Sequence, residues 1–142
     1  MKKNMVRMIV VWAAVLLLMT ACGGKYDDAV KVHKKFADAT EDYIGKLEKA
    51  NSAKDVADAI NDYASDIEDI TPEMKKIAEK YPELKNPDTV PDELKETKTR
   101  MDNVGMKMAQ QMMKNAKYMR DAEVRKAQMR LQKAMAALGG KP

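Results

Sequence analysis

Apolar side chains recur every three or four residues along almost the whole chain after residue 25, and nowhere do they alternate one by one. A spacing of three to four residues matches the turn of an α-helix, whereas alternation would match a β-strand. The same part of the chain is rich in Ala, Lys, Glu, Met and Gln, which favour helices. The pattern therefore predicts an all-α fold, and its length suits one domain with a single core.

Two helices are predicted in the first half of this domain. Residues 26–50 have one apolar face and two acids in the first turn, where the helix dipole favours anions. Ser52 followed by Asp55 is typical of a capping box, which predicts the start of a second helix. Thr71-Pro72 predicts that this second helix ends or kinks, because a residue before proline avoids the helical conformation.

The second half predicts one long third helix, from Pro91 to Leu138, which only Gly105 interrupts. At 1.5 Å per residue it would extend roughly 70 Å. Its first apolar stripe ends at Ala122, and the stripe that follows is rotated by roughly a quarter turn. This second stripe consists of Val124, Ala127, Leu131, Ala134 and Leu138. We therefore expect an antiparallel bundle of three main helices, in which the last part of the third either overhangs the bundle or binds a partner.

The N-terminal segment has the features of a secretory signal peptide. Three basic residues in the first seven precede an apolar stretch over residues 8–21. This stretch is too short to span a membrane, which takes about 20 apolar residues. The expected organisation is a signal peptide over residues 1–21, a short tether over 22–25, the helical domain over 26–138 and a frayed C-terminus over 139–142.

The end of this leader, Met19-Thr20-Ala21-Cys22, resembles the lipobox of the bacterial lipoprotein family. Thr20, Ala21 and Cys22 match the family pattern, and Met19 stands where leucine is usual. The resemblance implies cleavage before Cys22, a diacylglycerol thioether on its sulfur and an acylated new N-terminus. Several acyl chains anchor a protein stably, because each buried CH₂ contributes about 0.8 kcal/mol. Gly23 after the cysteine resembles cargo of the outer membrane in Gram-negative relatives, which would make the domain face the periplasm.

Charge is divided between the two halves of the domain. Residues 26–93 carry 10 Lys and Arg against 18 Asp and Glu, whereas residues 94–142 carry 12 against 4. Such asymmetry indicates either a binding tail or two halves that pack on each other. Two charged ladders favour packing, and we expect them to pair across the interface of helices two and three. The acidic ladder is Asp55, Asp58, Asp62, Asp66 and Asp69, and the basic ladder is Arg100, Lys107 and Lys114.

Methionine is unusually frequent in the predicted third helix. Its eight methionines are Met101, Met106, Met108, Met112, Met113, Met119, Met129 and Met135. Thioethers are soft ligands that suit Cu(I), but methionine also fills irregular cores. Since Met101, Met108, Met112 and Met119 lie on the apolar stripe, we expect them to pack in the core, and we expect no metal site.

The sequence disfavours an enzyme. His33 is the single histidine, lipidation would use the single cysteine, and there is no Gly-rich phosphate loop. We therefore expect a non-enzymatic interaction or structural module of the envelope, with no cofactor besides the lipid on Cys22. The expected interaction surface is Val124, Leu131 and Leu138 with Arg125 and Arg130.

This surface fits an envelope protein or an anionic lipid. Export separates the domain from nucleic acid. A homodimer through the same surface would bring like charges together, and an oligomer through another surface stays an open alternative. The alternative function is a periplasmic ligand- or metal-binding module that uses the methionine-rich third helix.

Overall fold

A computed structural model describes residues 24–86 and 90–139, and every regular element in these ranges is helical. The four α-helices are α1 (Asp27–Lys49), α2 (Ala53–Lys80), α3 (Asp92–Lys114) and α4 (Ala122–Gly139), with short 3-10 helices at Pro82–Lys85 and Ala116–Tyr118. The all-α prediction is confirmed. The proposed signal peptide and Cys22 lie outside the described residues.

Local sequence explains where the first two helices begin and end. Asp27 and Asp28 occupy the first turn of α1, and the chain leaves the helix at Ala50, which is extended. The predicted capping box is confirmed: Asp55 N–H donates to Ser52 Oγ at 3.1 Å, and Ser52 N–H donates to Asp55 Oδ2 at 3.1 Å. Each bond satisfies a backbone donor that the helix itself leaves unpaired.

Of the two outcomes predicted at Thr71-Pro72, the end of the helix is excluded, because α2 continues through Pro72 to Lys80, and the kink stays a prediction. Thr71 does not cap a new helix; its hydroxyl donates back to the carbonyl oxygen of Ile67 at 2.7 Å. Ile70 and Ile77, on either side of the proline, both lie in the core. Their burial offsets the hydrogen bond that Pro72 cannot donate.

Side-chain contacts fix the directions of the helices. Lys80 and Tyr81, at the end of α2, bond to Asp28 near the start of α1, so these two helices are antiparallel. Arg100 bonds to Glu41 of α1, and further along α3 Lys114 bonds to the carbonyl oxygen of Glu48. α3 therefore runs in the direction of α1 and packs on it. α4 packs on α2 and runs in the same direction as α2.

The prediction of one continuous third helix is wrong. α3 ends at Lys114, and α4 begins at Ala122. The buried stripe of α3 and the buried stripe of α4 would point in different directions on a straight helix. The break lets both stripes face the α1–α2 hairpin, and this burial of apolar surface offsets the helical hydrogen bonds lost at the break.

Two buried clusters form the core. The larger joins the C-terminal half of α1 and most of α2 to α4, and it contains Leu47, Ile60, Ile67 and Val124. The smaller joins the start of α1 to the end of α2 through Ala29, Ile77 and their neighbours. α4 is thus part of the main core, and the expectation that the end of the chain overhangs the bundle is wrong. None of the four helices in the described ranges has the length and hydropathy of a membrane-spanning helix.

Candidate functional site

The described part of the chain begins at the end of the molecule where α1 and α3 begin and α2 finishes. Tyr81 Oη donates to the carbonyl oxygen of Lys25 at 2.7 Å, and Lys25 Nζ pairs with Glu83 at 2.9 Å. The Lys80 ammonium and then the Tyr81 hydroxyl lower the pKa of Asp28 to about 2. Because these bonds tie residue 25 to α2 and the following turn, the start of the described chain is fixed at this end.

The apolar residues proposed as an interaction surface lie in or against the core. Val124 is 0% exposed and belongs to the main cluster. Leu131 and Leu138 are half-buried and pack against the same cluster. The expectation that these three side chains lie beyond the reach of α1 and α2 is wrong. Val124 is placed to hold α4 on α2.

The two arginines of that proposed surface have different surroundings. Arg130 bonds to Glu68 at 2.7 Å and to Ser65 Oγ at 2.9 Å, and its guanidinium lowers the pKa of the Glu68 carboxyl. Arg125 is exposed, and neither it nor Lys126 makes an ion pair within the described residues. Arg130 is therefore a contact between α4 and α2, whereas Arg125 and Lys126 are open to a partner.

The large apolar side chains that the described residues leave most exposed are all methionines of α3 and α4. They are Met106, Met112 and Met113 on α3 and Met129 and Met135 on α4, and we use the name methionine surface for these two exposed sets together. The expectation that Met112 packs in the core is wrong, since it is 49% exposed. The buried stripe of α3 continues instead through Gln111 and then Asn115, and both are more buried than Met112. Met101, Met108 and Met119 are half-buried.

The exposure of Met106 and Met113 agrees with their positions on a helical projection of α3. Met106 and Met113 are seven residues apart, so they share one face of α3, roughly opposite the buried Val104. A face that holds two methionines and no buried residue is available for contact with another molecule. The exposure of Met113, at 81%, is the largest of the set.

The two charged ladders do not pair with each other. Arg100 bonds to Asp38 and Glu41 of α1, and its guanidinium lowers the pKa of Glu41. The expectation of pairing across the interface of helices two and three is wrong, because α3 packs on α1. In the acidic ladder, Asp62 instead pairs with Lys46. In the described ranges, no three His, Cys, Asp or Glu side chains form a group that could hold a metal ion.

A cavity of about 260 Å³ lies between α1, the first 3-10 turn and α3. Its lining is mostly apolar and includes Phe36, Leu84, Leu94 and Met101. His33 is also at the wall, where its Nδ1 bonds to the carbonyl oxygen of Ala29 at 2.8 Å. The remaining ring nitrogen is one of several polar groups at the wall, to which Asn86, Thr97 and Lys98 also contribute.

Comparisons of this chain with protein-family models, with curated proteins and with solved structures found no match. The functional argument therefore depends on the residues and contacts described above.

Proposed function

We propose that this chain is a lipid-anchored envelope protein that acts by binding another protein and performs no enzymatic reaction. The resemblance of Met19-Thr20-Ala21-Cys22 to a lipobox supports the anchor. In a cell with two membranes, Gly23 favours the outer membrane and a domain that faces the periplasm. The anchor at Cys22 is the one covalent group that the proposal requires.

The methionine surface is the observation that carries the binding proposal. Methionine side chains are flexible and polarizable, so an exposed set of them adapts to the apolar groups of a partner. Arg125 and Lys126 are exposed on α4 without ion pairs among the described residues. Unpaired cations on the helix that carries Met129 favour an acidic partner. The proposed partner is therefore a protein surface that combines apolar and acidic side chains.

The position of the tether favours a protein partner over the lipid of the anchoring membrane. Three residues separate Cys22 from Tyr26, and they reach roughly 10 Å when extended. α1 is 23 residues long, so the α3–α4 connection lies roughly 35 Å from the tethered end. Met113, next to this connection, would stand away from the anchoring membrane.

A capture experiment tests the binding proposal. The lipidated full-length chain is used to capture proteins from a detergent-solubilised envelope, and the double variant Met113→Ala, Met129→Ala is compared with it. We expect helicity and melting temperature to be unchanged and capture of the partner to fall. The matched control is Lys34→Ala, Lys76→Ala, which removes two long exposed side chains from α1 and α2.

Equal capture by the methionine variant and the control would contradict the proposal. Binding of the wild-type chain to vesicles of anionic lipid, with no protein captured, would favour the lipid-surface alternative instead.

The cavity near His33 supports a second candidate function, the binding of a small apolar molecule. The observation in its favour is the apolar lining, to which Phe36 and Met101 contribute. A titration with a fluorescent fatty acid tests it. Met101→Trp should fill the cavity and weaken binding, whereas Met106→Trp, on the solvent-facing side of the same helix, should leave binding unchanged. Equal affinity of both variants would contradict this function.

A further inference from the structure

The connection between α3 and α4, residues 115–121, contains no glycine and no proline. Met119 has φ −64° and ψ −16°, within the right-handed helical region, and Asn115 lies close to it at φ −93° and ψ 5°. Most residues of the connection favour helices. Since no residue forces the chain to turn here, the break depends on what α4 and the connection contact.

Those contacts attach α4 to α2 much more than to α3. Val124, Ala127 and Ala134 of α4 are buried in the main cluster with residues of α2. Arg130 adds its bonds to Ser65 and Glu68 of α2. Contact between α3 and α4 is slight by comparison. Because α4 makes most of its contacts with α2, the α2 of a second copy of the chain offers α4 the same contacts.

The connection contacts the bundle through Tyr118 and Met119, which pack against the main cluster, and through a few polar bonds. Asn115 Nδ2 donates to the carbonyl oxygens of Leu47 and Gln111, at 3.1 and 3.0 Å. Tyr118 Oη donates to the carbonyl oxygen of Asn51 at 2.6 Å. If residues 115–121 became helical, part of these polar bonds would be replaced by the backbone hydrogen bonds of a continuous helix.

We propose that a second copy of this chain is a partner, through exchange of α4. In the exchanged dimer, α3 and α4 form one continuous helix, and each α4 packs on the α2 of the other chain. The buried interface of α4 is rebuilt unchanged, so such an exchange costs little beyond the contacts that the connection itself makes. The two copies meet at their 115–121 ends around a twofold axis.

A proline at the first position of α4 distinguishes the closed and exchanged forms. Ala122 is that position, and Asp121 Oδ1 accepts the Glu123 N–H at 2.9 Å, as a helix N-cap does. Ala122→Pro therefore suits the closed form. In a continuous helix the same proline lies in the interior, where it removes a hydrogen bond and clashes with the preceding turn.

The first experiment measures the dimer fraction of the full-length chain, refolded at high concentration in mild detergent, by light scattering. Ala122→Pro should lower the dimer fraction by about tenfold or more. Tyr118→Phe should raise it, because it removes the bond to Asn51 that the turn of the closed connection makes. Ala53→Pro, the first residue of α2 behind its cap Ser52, is the matched control and should leave it unchanged. Equal dimer fractions in Ala122→Pro and Tyr118→Phe would overturn the proposal.

The second experiment identifies the interface by disulfide formation in a Cys22→Ala background. Ala57 and Ala127 share the main cluster and line one depression between α2 and α4. When chains with Ala57→Cys are refolded together with chains carrying Ala127→Cys, oxidation should link one of each. The chain with both cysteines is the control for geometry. A link within that chain, with none between the mixed chains, would overturn the proposal.

Discussion

The side-chain amide of Asn115 donates to the carbonyl oxygen of Leu47 at 3.1 Å, which joins the end of α3 to the end of α1. Asn115 is 1% exposed, so its amide could not bond to water in place of this partner. This contact lies at the break between α3 and α4, after which the chain runs back along α2. It is a polar interaction within the core that specifies where α3 ends.

Replacing Asn115 should therefore destabilise the domain. Asn115→Ala removes two hydrogen bonds from a buried amide, and we expect a loss of about 1–3 kcal/mol in the free energy of unfolding. Asn103→Ala, an exposed asparagine on the same helix, should change it by less than about 0.5 kcal/mol. Denaturant unfolding followed by circular dichroism measures both. Equal small effects would show that the contact does not specify the break.

The sequence predicted the helices well wherever local signals decide them. Ser52 and Asp55 cap α2 as expected, because a capping box involves residues three apart. The change of phase after Ala122 is also present in the sequence, but it has two solutions, an overhang or a break. Choosing between them requires the energy of packing Val124 against α2, which no local pattern contains. The same limit explains the wrong prediction for Met112. It is exposed, and Gln111 and Asn115 occupy the more buried positions of that stripe instead.

The packing of α4 gives a prediction that contrasts two of its residues. Val124→Ala should lower the free energy of unfolding by about 1–3 kcal/mol, because the side chain is fully buried. Met129→Ala should have an effect of less than about 0.5 kcal/mol, since Met129 is exposed. Thermal unfolding of the two variants tests this. If Val124→Ala were as neutral as Met129→Ala, α4 would not belong to the core.

The polar cluster of Asp28, Lys80 and Tyr81 predicts a dependence of stability on acid pH. Lys80 and Tyr81 lower the pKa of Asp28 from 3.8 to about 2, so the charged form favours the folded state. This contribution is complete above about pH 4 and is lost as the pH falls through about 2. The stability difference between wild type and Asp28→Asn should therefore shrink over that interval. Glu79→Gln, which removes an exposed carboxyl of α2, is the control, and a difference independent of pH would contradict the assignment.

The proposed lipid anchor predicts a chemical result at one residue. Cys22→Ser should abolish incorporation of a radioactive fatty acid and block the cleavage before residue 22, because the sulfur is the atom that the diacylglycerol modifies. Thr20→Ala, which keeps a small residue at that position, should be labelled like the wild type. Gel electrophoresis with autoradiography measures both variants. Equal labelling of wild type and Cys22→Ser would refute the anchor.

The central claim is that the methionine surface contacts another envelope protein, and photo-crosslinking in living cells tests it most directly. A photoreactive amino acid is placed at position 113 or 129 of the full-length chain, and at position 34, an exposed site near the start of α1, as a control. We predict that positions 113 and 129 give a crosslink to the same envelope protein and that position 34 gives none. If positions 113 and 129 gave no adduct with a protein, or only the adduct seen at position 34, the claim would be contradicted.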